Sequence, residues 1–262
     1  MALLTALAGL IGLAVGSFLN VVIHRVPRGE SLVRPPSHCP VCGAVVRNRH
    51  NIPVVGWLVL HGRCADCLAP ISVRYPLVEL GTGLVFAGLT AWLVGHHLTS
   101  AVPAYLWFAG AGIALAVIDL DCRRLPNAIV LPSYPVLGAL LALSAWWYHD
   151  WWALARAGIG GAALFAFFFA LAFAYPAGMG FGDVRLAGIV GGVLGYLSWS
   201  TLVIGAFGGF LLGAVVGIAV IARRRGDRRT ALPFGPFMIG AALVAIVAAG
   251  PISTAYQRLL GG

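Results

Sequence analysis

The chain is 262 residues long, 60% hydrophobic and only 10% charged, with a mean hydropathy of +0.94. That is beyond the roughly 45–50% apolar share of soluble domains, so a soluble globular enzyme is excluded and an integral membrane protein indicated. The net charge of +9 comes from seventeen arginines and no lysine, and their spacing between apolar runs argues against a nucleic-acid footprint.

Apolar runs recur at Leu3 to Ile23, Pro76 to Val94, Ala101 to Leu120, Ile129 to Trp147, Ala157 to Ala174, Val184 to Trp199, Thr201 to Ala222 and Phe237 to Ala249. Most approach the ~20 residues needed to cross hydrocarbon. The sixth and eighth are short and must lie nearly straight, borrow flanking residues or sit within the bundle. The reading is an all-α polytopic transmembrane helical bundle of about eight helices, with seven as the fallback. The first run lacks a basic region before it and a clear cleavage site, so it reads as a retained helix rather than a signal peptide. With the N-terminus outside, alternate loops hold Arg25, Arg28, Arg34, Arg47, Arg49, Arg63, Arg74, Arg123, Arg124, Arg185 and the cluster Arg223, Arg224, Arg225, Arg228 and Arg229. Only Arg156 and Arg258 fall on the other side. This is the positive-inside pattern, and it makes those four loops cytosolic. Seven crossings would put the late cluster in the wrong compartment; that cluster reads as a topology anchor beside anionic membrane lipids. The expected organisation is a first transmembrane helix over 1–23, a cytosolic loop domain over 24–75 and a transmembrane domain over 76–262.

The loop domain is too small to bury a large core alone. Cys39, Cys42, Cys64 and Cys67 form C-x2-C-x21-C-x2-C, close to the paired-knuckle spacing of tetrahedral zinc sites. Two disulfides are the alternative, and reducing cytosol disfavours them. Four thiolates leave zinc no open position, so its expected role is structural. His38, His50 and His61 lie nearby as surplus, surface residues. Glycines including Gly191, Gly192, Gly195, Gly205, Gly208, Gly209, Gly213 and Gly217 read as close helix packing. Trp146, Trp147, Trp151 and Trp152 read as an interfacial aromatic belt.

Asp119 closes the third apolar run, and Asp183 ends Gly178-Met179-Gly180-Phe181-Gly182-Asp183. Both fall on the cytosolic face. A carboxylate at membrane depth is costly, so two of them point to function. The glycines, Gly180 and Gly182 among them, are expected to unwind the helix start and expose backbone that an extended substrate would pair by strand addition. Two carboxylates brought within a few ångströms share a proton near neutrality, as in aspartic proteases. The ionised member draws a proton from water while the protonated one polarises the scissile carbonyl. A proton-relay or ion-coupled transporter using the same pair is the alternative, and a zinc-loop scaffold with packing aspartates a third. Asp121, beside Arg123 and Arg124, reads as structural or supporting. Cys122 has no partnering histidine in its loop, which argues against a thiol nucleophile.

Ordered motifs spanning nearly the whole chain resemble the type IV prepilin peptidases, bacterial membrane aspartic proteases of the glycine-x-glycine-aspartate class. These are Gly16-Ser17-Phe18-Leu19-Asn20-Val21 with Arg25 and Pro27, Pro36-x-x-Cys39, Asn51-Ile52-Pro53, Gly62-x-Cys64, Arg74-Tyr75-Pro76 with Glu79, the Asp119 loop, Gly180-x-Gly182-Asp183 and Pro233-Phe234-Gly235-Pro236. The resemblance implies catalytic Asp119, six residues before Leu125 and Pro126, together with Asp183. It implies a location in the bacterial inner membrane and cytosolic cleavage of a basic leader from prepilins and pilin-like secretion proteins. It also carries methylation of the new N-terminal amine by S-adenosylmethionine, for which no glycine-rich dinucleotide-type turn is present; Glu79 reads equally as a buried partner of Arg74. Asn127 stands where aspartate is common and Arg185 where lysine is common. Arg185, a substrate-binding or supporting residue on this reading, keeps the charge with a different geometry. The sequence is silent on oligomeric state.

Overall fold

The computed structural model describes residues 1–175, 179–222 and 233–259. Among these there are nine α-helices and, apart from two isolated bridges, no β-structure. Gly178 and the arginine cluster at 223–229 lie outside the described residues. Two compact units divide the chain, Met1–Val102 and Pro103–Gly262.

In the first unit, α1 (Ala2–Arg25) carries no charge before His24 and Arg25 in its last turn, where cations favour the carbonyl end of a helix. It packs antiparallel on α3 (Arg74–Gly95). The approach is close because glycines line it. A Cβ at Gly12 would sit 2.8 Å from the Gly83 Cα, and one at Gly16 only 2.7 Å from the Glu79 Cα. One turn further, Asn20 Nδ2 donates to the Tyr75 carbonyl at 3.1 Å. The chain between them is irregular apart from two short 3-10 turns and the five-residue helix α2 (Val55–Val59).

In the second unit, six helices follow: α4 (Val102–Cys122), α5 (Asn127–Tyr148), α6 (Trp151–Ala174), α7 (Phe181–Leu197), α8 (Trp199–Ala222) and α9 (Gly235–Leu259). The centre is α7. It packs on α5, α6, α8 and α9, and the buried Tyr105 hydroxyl of α4 donates to the Val193 carbonyl at 2.8 Å. That bond satisfies a polar atom which would be costly to leave bare in apolar surroundings. At the α6–α7 contact, Gly160 and Gly191 face each other so closely that a Cβ on Gly191 would overlap the Gly160 carbonyl. The small residues of the late segments therefore act as predicted at Gly191, Gly195 and Gly205, whereas Gly209 and Gly213 make only ordinary contacts.

Among the described residues, seven helices are long and apolar enough to cross a membrane. The eighth apolar run is no longer short, because α9 borrows residues at both ends and reaches 25 residues. The sixth run stays short: α7 has 17 residues, about 25 Å of helix against roughly 30 Å of hydrocarbon. It meets that shortfall by lying inside the bundle, with eleven of its residues buried. Trp146, Trp147, Trp151 and Trp152 are each more than half exposed at the α5–α6 turn, as an interfacial belt requires.

Candidate active site and metal centre

One end of the second unit gathers the C-terminus of α4 and the N-termini of α5, α7 and α9. Asp119 lies in the last turn of α4 and is 5% exposed. Asp121, two residues on and so on the opposite side of the helix, is exposed. Asp183 lies in the first turn of α7, where its backbone N–H donates to the Gly180 carbonyl at 3.0 Å. A carboxylate there is favoured by the helix dipole. Leu125 lies against both Gly182, the residue before Asp183, and Gly235, whose N–H meets Asp119, so the two aspartates share this end of the unit.

Three contacts hold this arrangement. Gly235, first residue of α9, donates its N–H to Asp119 Oδ2 at 3.1 Å. Leu125 packs against the backbone of both Gly182 and Gly235, at 3.0 and 3.3 Å from where their Cβ atoms would be. Arg185 Nη1 donates to Asn127 Oδ1 at 2.5 Å, its guanidinium lies 4.8 Å over the Phe181 ring, and its carbonyl accepts from the Tyr134 hydroxyl at 2.6 Å. Arg185 thus ties α7 to the start of α5.

The glycines beside Asp183 act differently from the expectation. Gly180 is the extended N-cap residue of α7, with φ −74 and ψ 143, so Met179 and Gly180 lie outside the helix as unwinding requires. Gly182, however, is helical, and its missing side chain makes room for Leu125. Gly235 and Leu125 were not singled out for any role in the sequence. The signal for Gly235 was the Pro233-Phe234-Gly235-Pro236 run. Prolines have no N–H to offer, and Phe234 is anchored between Phe168 and Phe210 at 5.7 and 5.2 Å between ring centres.

In the first unit the Sγ atoms of Cys39, Cys42, Cys64 and Cys67 all lie within 4.8 Å of one another. Two of the separations are 3.8 Å (Cys39–Cys67) and 4.0 Å (Cys42–Cys64). Tetrahedral zinc with bonds of about 2.3 Å needs sulfurs about 3.8 Å apart, so the cluster suits that ion. Each pair sits on a knuckle of the same build. Gly43 and Ala44 close one on Cys39, and Leu68 and Ala69 close the other on Cys64. Backbone N–H groups of Cys42 and Val41 hold the Cys39 thiol down at about 6. Cys67, although it has an N–H from Ala69, is pushed up to about 12 by burial and the neighbouring sulfurs. Four sulfurs this close cannot all ionise without a cation. The histidines stand apart: no His joins the cluster among the described residues, and His38 Nδ1 lies 3.1 Å from the Pro36 carbonyl.

Two family models match the chain, the bacterial peptidase A24 N-terminal domain over residues 10–93 and the type IV leader peptidase family over residues 106–218. The prepilin leader peptidase/N-methyltransferase of Pseudomonas putida is 34% identical, covering 97% of this chain and 94% of the relative. That of Pseudomonas aeruginosa is 33% identical over 96% and 93%, and that of Aeromonas hydrophila 33% over 92% and 90%. No solved structure matches the chain.

Proposed function

Since the chain belongs to the type IV leader peptidase family, we propose that it is a multi-pass membrane aspartic endopeptidase acting on the cytosolic side of a bacterial inner membrane. Its substrates are type IV prepilins and pilin-like secretion proteins, from which it removes a short basic leader. The observation that supports this reading is that Asp119 and Asp183 lie at one end of a single unit, joined through Leu125 and Gly235.

The pair shares one proton. The ionised carboxylate draws a proton from water as that water attacks the scissile carbonyl, which the protonated carboxyl polarises; the roles exchange as the amine leaves. The Gly235 N–H fixes one oxygen of Asp119 and leaves the other to the reaction. Backbone of Met179 and Gly180, outside α7, is available to pair with an extended substrate. The four cysteines hold a structural zinc ion that folds the loop. The relatives' name also supports methylation of the new N-terminal amine, with S-adenosylmethionine as donor. A transporter draws no support from these relatives.

Purified protein incubated with a prepilin provides the test. Asp119→Asn and Asp183→Asn should each abolish leader removal, read as a mass change of the substrate. Cleavage retained by either variant removes that aspartate from the reaction, and a wild-type protein that never cleaves removes the function.

A further inference from the structure

Helix α5 carries two prolines inside it, Pro132 and Pro135. A proline has no N–H to give the carbonyl four residues back, so the Ala128 and Leu131 carbonyls lose their helical partners. Among the described residues no side chain donates to either in their place. Toward the bundle the opposite holds, where the Ile129 carbonyl accepts from the Ser133 hydroxyl at 2.8 Å and Trp107 Nε1–H donates to that hydroxyl at 3.2 Å. Ala128, Leu131, Pro132 and Pro135 are exposed and share one face, while Val130, Ser133 and Leu137 behind them are buried. Two bare carbonyls thus open outward from a segment long and apolar enough to span a membrane. Such groups are costly in hydrocarbon unless a donor reaches them from outside the helix.

This face belongs to the same end of the unit as the aspartates. Asn127 and Tyr134, two turns apart on α5, both grip α7 at Arg185. Asn127 Oδ1 accepts from Arg185 Nη1 at 2.5 Å, and the Tyr134 hydroxyl donates to the Arg185 carbonyl at 2.6 Å. The absence of a side chain at Gly188 is what admits that hydroxyl, which a Cβ there would overlap. Asp183 stands two residues before Arg185 in the same helix, so the first turns of α5 are fixed against the turn that carries it.

We infer that the Ala128 and Leu131 carbonyls form a substrate subsite, accepting backbone N–H groups of the extended prepilin segment beside the scissile bond. This deepens the peptidase reading and rests on it. The chemistry selects the occupant. Both groups only accept, acyl chains have no donor to offer, and the positive N-terminal end of α5 disfavours the cations of a basic leader. An apolar peptide segment drawn out of helical form at the scissile bond has main-chain N–H groups with no partner of their own. Each side supplies what the other lacks, and the prolines, by withholding two N–H groups, keep the acceptors open.

The double variant Pro132→Ala/Pro135→Ala returns an N–H to each carbonyl and closes the subsite without touching the aspartates. A labelled prepilin peptide is titrated into the full, zinc-loaded chain in detergent, with its cleavage followed in parallel. The variant should raise Kd and KM about tenfold, the scale of two lost hydrogen bonds. It should keep kcat within about threefold and unfold no earlier than wild type, because an interior proline weakens a helix. A second probe separates pairing from a change in helix bend: peptides carrying a single backbone N-methyl amide at successive positions. At the paired positions the methyl should weaken binding to wild type several-fold and to the double variant hardly at all, whereas a bend alone leaves the two penalties equal. Unchanged Kd in the double variant, or equal penalties, overturns the subsite and leaves water as its tenant. If the chain nevertheless cleaves leaders, proteolysis stands without the subsite. Proline-dependent binding in a chain that never cleaves supports the subsite and sinks the peptidase reading, and a chain that neither binds nor cleaves overturns both.

Discussion

Gly235 gives Asp119 something no side chain in the site supplies, a backbone N–H at 3.1 Å from a space with no room for a Cβ, which would stand 2.8 Å from Asp119 Oδ2. Gly235→Ala should therefore push the carboxylate aside while sparing the fold. Loss of a hydrogen bond to a charged group costs about 1.5–3 kcal/mol, so kcat for leader cleavage should fall roughly 10- to 100-fold, measured by single-turnover cleavage against an unchanged melting temperature. The zinc knuckles offer a second test. Gly43 and Leu68 occupy equivalent places with φ 73 and φ 59, so one knuckle has the residue its backbone favours and the other does not. A left-handed conformation costs a side-chain-bearing residue about 1–2 kcal/mol. Leu68→Gly should accordingly raise the loop's resistance to protease, and Gly43→Val lower it. At this scale the sequence was most legible where chemistry dictates spacing, as in the four cysteines. It was least so where a residue acts through its backbone, because Gly235 has no side chain to announce a role. The sequence set Asp121 aside for its neighbours Arg123 and Arg124, and the family resemblance also favoured Asp119; in the fold Asp119 is buried and Asp121 exposed, since residues two apart in a helix face opposite ways.

Among the elements, α7 was the hardest to read. Its short apolar run looks like a weak crossing, yet shortness and burial have one cause, since a helix shielded from lipid on all sides need not match the bilayer thickness. Burial leaves its last carbonyls without water. Arg156 of α6 satisfies three of them, donating to Gly195 and Tyr196 at 2.6 Å each and Leu197 at 2.9 Å. In the sequence Arg156 was only an exception to the arginine asymmetry; in the fold it satisfies the carbonyl end of α7. Arg156→Met should lower stability by about 2–3 kcal/mol, the cost of stranding carbonyls bonded to a cation. The measurement is the unfolding midpoint in mixed micelles, and an unchanged midpoint would assign those carbonyls other partners. The departures at Asn127 and Arg185 also resolve at this level. Separately they are two unexplained substitutions, but in the fold they bond to each other across α5 and α7, a pairing that sequence separation conceals.

At the scale of the whole molecule, the packing of α1 on α3 could not be read from hydropathy, which finds helices but not their neighbours. Its consequence is a division of labour, since the cysteine cluster belongs to one unit and both aspartates to the other. The two differ in what holds them. The second unit is organised around α7, whereas between residues 26 and 73 only Gly56, Gly62 and Cys64 are buried. A loop so poor in core would depend on a metal held by its four cysteines, since structural zinc supplies about 10–16 kcal/mol to small zinc folds. Removing zinc by chelation or by Cys39→Ser should therefore expose residues 26–73 to limited proteolysis, read as new cleavage bands from that segment. The helices around Asp119 and Asp183 need no metal, so leader cleavage should persist at reduced rate in protein that still inserts. Complete loss of cleavage with the helical signal intact would show instead that the loop takes a direct part in proteolysis.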